Sequence, residues 1–72
     1  MVRSNMLRVA LSDYRSLHEH ILELTEEELR AALALEHSTL RRKAVLKRLI
    51  ARIGAVTAKA TINDLTRRFY VS

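Results

Sequence analysis

Apolar residues recur at Leu7, Ala10, Tyr14, Leu17, Ile21 and Leu24 with 3-4-3-4-3 spacing. This is a coiled-coil-like seam sustained for about two and a half heptads, and it predicts a helix over 5–24. Ser4 is its natural N-cap, or Ser12 and Asp13 if the helix is shorter. Thr25-Glu26-Glu27-Glu28 then reads as a capping box. Thr25 caps the next helix, Glu28 at the third helical position reaches back to the Thr25 amide, and the glutamates suit the positive end of the helix dipole. A second helix over 26–37 follows, with Leu29, Ala32 and Leu33 as its apolar line. Ser38 and Thr39 form a cap pair for a third.

The third helix is predicted over 40–59. At 100° per residue, Val45, Leu46, Leu49, Ile50, Ile53, Val56, Thr57 and Ala60 fall within an arc of about 140°. Arg41, Arg48, Arg52 and Lys59 group on the adjacent face, with Lys43 and Lys47 flanking the arc on its other side. The apolar phase passes through Gly54, so the helix should continue across it. After residue 60 the phase fails, because Asn63, Asp64 and Arg67 land where the arc would continue. Ile62, Leu65 and Phe69 mark a different face, which predicts a break at 58–61 and a short helix over 62–69.

These elements predict an all-α fold in one domain over 1–72: a small three-helix bundle or helical hairpin with a short fourth helix. The seam of the first helix should pack on the arc of the third. A 72-residue chain buries only about 60% of its unfolded surface, and such thin cores are often supplemented by association. With the seam, this favours a homodimer.

Composition strengthens the helical reading. Proline is absent, and glycine occurs once. Without cysteine there is neither a disulfide framework nor a thiolate metal site. No apolar run reaches the roughly 18 residues of a membrane span, and no apolar leader opens the sequence. The expectation is a cytoplasmic protein that makes no membrane contact.

Charge is divided unevenly. Residues 1–37 carry four arginines against seven carboxylates, a net of −3; residues 38–72 carry nine Lys and Arg against Asp64 alone, a net of +8. The acidic second helix and basic third helix, packed antiparallel, could neutralise one another in part. Pairing cannot consume the whole excess, which leaves Arg41, Arg48, Arg52 and Lys59 as candidates for partner or nucleic-acid contact. Base stacking needs aromatic residues among the cations, and neither Tyr14, Phe69 nor Tyr70 interrupts the basic helix. His18 and His20 point to different helix faces, so no metal site is expected there. One glycine cannot build a phosphate-cradling loop, and no serine stands in a nucleophile elbow. The expectation is a non-enzyme without cofactor.

Leu24-Thr25-Glu26-Glu27-Glu28-Leu29-Arg30, followed by Arg41-Arg42-Lys43 and Val45-Leu46-Lys47-Arg48-Leu49-Ile50-Ala51-Arg52, resembles small helical accessory proteins encoded by tailed bacteriophages. The resemblance covers about residues 24–52. It implies a helical hairpin made during infection that acts in the host cytoplasm by binding a host enzyme, a defence component or nucleic acid, and it carries over no functional residue. The segment after Ala60 departs from the usual highly charged end. Two functions follow as expectations: a protein-interaction module, or a nucleic-acid-binding regulator using the basic helix face.

Overall fold

The computed structural model describes residues 2–71. Among them are five α-helices: α1 Ser4–Ala10, α2 Tyr14–His20, α3 Glu26–Ser38, α4 Lys43–Val56 and α5 Lys59–Leu65. A 3-10 turn over Ile21–Glu23 extends α2, and a π-helical segment over Thr66–Val71 extends α5. The chain is all-α, with no strand among the described residues.

The long first helix divides in two. Asp13 adopts an extended backbone and its carboxylate accepts from the Ser16 amide at 2.7 Å, while the Ser12 hydroxyl donates to the Val9 carbonyl at 2.8 Å. Two short polar side chains thus satisfy backbone groups locally, which ends one helix and starts another. Leu7, Ala10, Leu17, Ile21 and Leu24 of the seam are buried, but Tyr14, the first residue of α2, is 47% exposed. The seam is the chain's own core. It therefore offers no face to a second copy, and the argument for a homodimer drawn from it falls away.

Thr25 and Glu28 form the expected capping box. The Thr25 hydroxyl accepts from the Glu28 amide at 3.2 Å, and the Glu28 carboxylate accepts from the Thr25 amide at 3.0 Å. Ser38 and Thr39 behave otherwise than expected. Their hydroxyls donate back to the Leu35 carbonyl at 3.0 and 2.7 Å, closing α3 instead of opening the next helix. Arg41 follows in the left-handed region with φ 53°, so α4 starts at Lys43 rather than at 40.

α4 buries Val45, Leu46, Leu49, Ile50, Ile53 and Gly54, and packs chiefly against α3 and α5. The expected end of its apolar arc is absent, since Val56, Thr57 and Ala60 are exposed. The Thr57 hydroxyl donates to the Ile53 carbonyl at 2.6 Å, Ala58 is extended, and α5 begins at Lys59. Gly54 lies inside the helix, as its phase predicted. A Cβ there would stand 2.1 Å from Ile62 Cγ1, so α5 crosses α4 against bare backbone. Twelve residues earlier in the sequence than Gly54's neighbour Ala55, the Lys43 ammonium meets Tyr70, so the C-terminal segment runs back antiparallel to α4. The rings of Phe69 and His37 of α3 stand perpendicular, with centroids 5.2 Å apart.

Candidate interaction surface

The carboxylates of the chain are largely spent within it, beginning with two buried ones on α3. Glu28 takes a fork from Arg3, whose Nε and Nη2 donate at 2.7 and 2.8 Å while its backbone amide donates at 3.0 Å. Glu36 repeats the arrangement with Arg42: Nε at 3.0 Å, Nη2 at 2.9 Å and the amide at 2.8 Å. Arg3 and Arg42 are the N-caps of α1 and α4, and neither caps with its own side chain. Two carboxylates of α3 therefore cap two other helices. The same guanidiniums donate to carbonyls that end helical segments, Arg3 to Glu23 at 3.0 Å and Arg42 to Leu11 at 2.6 Å.

These bonds set the ionisation of both acids. The Arg3 side chain, with the Thr25 and Arg3 amides, holds Glu28 far below the usual carboxylate range against the opposing effect of burial. The Arg42 fork likewise lowers Glu36. Elsewhere Glu26 pairs with Arg30 at 2.9 Å, Glu19 with Arg15 at 3.7 Å, and Asp64 with Arg68 at 3.9 Å. Between the acidic second helix and the basic third one, Glu36 meets Arg42 at the connection, while Glu28 turns to Arg3 and Glu26 to Arg30 of its own helix.

The four cations expected on one stripe occupy three different segments. Arg41 lies in the α3–α4 connection, where its Nη2 meets His37 Nε2 at 3.0 Å, and Lys59 opens α5. Only Arg48 and Arg52 share α4, one turn apart and half-buried. Yet Lys47, Arg48, Arg52, Lys59 and Arg67 form no ion pair among the described residues. Arg52 Nε is buried and meets no acceptor. The excess positive charge of the second half remains available.

Beside these cations lies a cleft of about 180 Å³ between α4 and the C-terminal segment, lined by Lys47, Ile50, Ala51, Ile62, Thr66 and Tyr70. Sequence reasoning placed Ile62 on a separate face and Lys47 at the flank of the arc, but it did not bring them together. The one available signal was the lone glycine, Gly54, eight residues before Ile62. No group of three His, Asp or Glu side chains able to hold a metal ion occurs among the described residues. No helix is long and apolar enough to cross a membrane among these residues. No protein-family model, no curated protein and no solved structure matches this chain.

Proposed function

We propose that the chain is a non-enzymatic helical interaction module whose basic half binds an acidic surface of a larger protein and thereby modulates or inhibits it. The observation that carries this reading is the uneven pairing of charge. The buried glutamates are consumed by Arg3 and Arg42, while Lys47, Arg48, Arg52, Lys59 and Arg67 meet no carboxylate among the described residues. Unspent charge of one sign steers association with a surface of the other. If the chain is phage-encoded, as its resemblance implies, the partner is a host protein. The test is a pull-down from bacterial lysate, comparing the wild-type chain with a Lys47→Glu/Arg48→Glu/Arg52→Glu variant of unchanged helicity. A protein retained by the first and lost from the second supports the reading. Identical captures, or none, overturn it.

A second reading, contact with a nucleic-acid backbone, rests on the same excess of nine Lys and Arg over one carboxylate in residues 38–72. It would use Arg41, Arg48, Arg52 and Lys59. Because these stand on three segments, it lacks the continuous stripe that first suggested it. A gel shift decides: backbone binding retards DNA at about 50 mM salt and releases it at about 200 mM, whereas no retardation at the lower salt rules it out.

A further inference from the structure

The cleft between α4 and the C-terminal segment is mostly apolar. Its walls are aliphatic, with Ile50 and Ala51 on one side and Ile62 on the other, while Thr66 and Tyr70 close one end. No carboxylate lines it. Lys47 stands at its α4 rim. On α5, Lys59 shares the face of Ile62 and Thr66 at i, i+3 and i+7. Because the two walls run antiparallel, Lys59 marks the end beyond the Gly54–Ile62 crossing and Lys47 the end near Tyr70. Both lysines are exposed, and neither has an ion pair among the described residues.

From this we infer that the cleft is the docking site of an acidic amphipathic helix belonging to the partner protein. The inference rests on the protein-binding reading above. One apolar side chain of that helix inserts between Ile50, Ala51 and Ile62, and carboxylates on either side meet Lys47 and Lys59. Three features select this occupant. The volume, about 180 Å³, falls below the roughly 300–1,000 Å³ of small-molecule pockets and suits a side chain presented by a helix. Ala51, which lines the cleft, and Ala55 one turn further along the exposed face of α4 are short enough for a second helix to lie close. A nucleobase is disfavoured because the Tyr70 ring that lines the cleft already holds the Lys43 ammonium 4.6 Å from its centroid.

The experiment selects binders from a displayed library of peptides of about sixteen residues, long enough to form a helix on contact. Three variants of the chain, each confirmed folded by circular dichroism, then test the winners by fluorescence anisotropy. Ala51→Glu places a carboxylate in the cleft, Lys47→Glu/Lys59→Glu reverses its rim, and Arg48→Glu/Arg52→Glu reverses the flank of α4 beyond Ala51. The expected winners carry Asp or Glu around apolar residues at i, i+3 or i+4. They lose about tenfold or more in affinity on the first two variants and measurably less on the third, whose arginines attract the acidic partner without lining the cleft. Winners lost on the third variant but indifferent to Ala51→Glu overturn the cleft while leaving a basic protein-binding half intact. Winners without acidic bias, or no winners, overturn the inference, and the lysate comparison then shows separately whether the broader reading stands.

Discussion

At the scale of single residues, the geometry of Arg3, Glu28, Glu36 and Arg42 does more than neutralise charge. Each carboxylate accepts an amide and a two-pronged guanidinium together, so one side chain caps a helix and orients the cation that caps another. Gly54 is the other position where one residue decides the packing. Alanine would be favoured there on helix propensity by about 1 kcal/mol. The 2.1 Å approach of a Cβ to Ile62 Cγ1 outweighs that gain, since overpacking costs about 1–3 kcal/mol. Gly54→Ala should therefore lower the urea midpoint. In an Ile62→Ala background the same change should raise it, because the obstructing side chain is gone. A Gly54→Ala chain as stable as wild type would show that the crossing does not depend on the missing Cβ.

At the scale of elements, local hydrogen bonding explains both the helix that formed as expected and the one that did not. Thr25 and Glu28 satisfy each other's amides at the start of α3, and that signal lies within four residues. Thr25→Ala removes one acceptor and should cost about 1 kcal/mol, read as a lower urea midpoint with an unchanged slope. A null effect would mean that the Glu28 carboxylate alone holds the start of the helix. Over 5–24 the seam and the Ser12-Asp13 pair make competing demands. The polar pair wins because it bonds two backbone groups at once, and the seam residues other than Tyr14 still point inward on either side of the bend.

For the whole molecule, a core this thin makes stability depend on its ionic staples. The envelope is only 28 × 23 × 20 Å. Glu28 and Glu36 are both held below the ordinary carboxylate value of 4.5, so the unfolded chain binds protons on them more readily than the folded one. Their contribution is complete above about pH 4.5 and is lost as pH falls through their lower folded-state values. The urea midpoint should accordingly be flat near neutrality and drop in acid. Glu36→Gln should lower the neutral plateau and flatten part of the acid limb, because a permanently neutral side chain has no proton left to take up. If the variant kept the full acid slope, Glu36 would not be among the groups responsible.

Some of this architecture is written in short-range pattern. Period and composition determine that the chain is helical, the Thr25–Glu28 box fixes where α3 begins, and the unbroken apolar phase carries α4 through Gly54. The excess of cations after residue 38 is likewise a property of the sequence alone. What the sequence did not disclose depends on residues far apart along it. Glu28 and Arg3 are 25 positions apart, so their pairing could not be separated from the other ways seven carboxylates might meet the cations around them. Leu40–Arg42 was expected to be the start of a helix because its pattern suits one. The left-handed turn at Arg41 arises where the chain must reverse so that α4 can lie against α3. The cleft exists only because α5 folds back over Gly54 and brings Ile62 and Tyr70 beside Lys47. Periodicity reports which face of a helix is apolar, while the tertiary structure decides what that face meets and which charges are left for a partner.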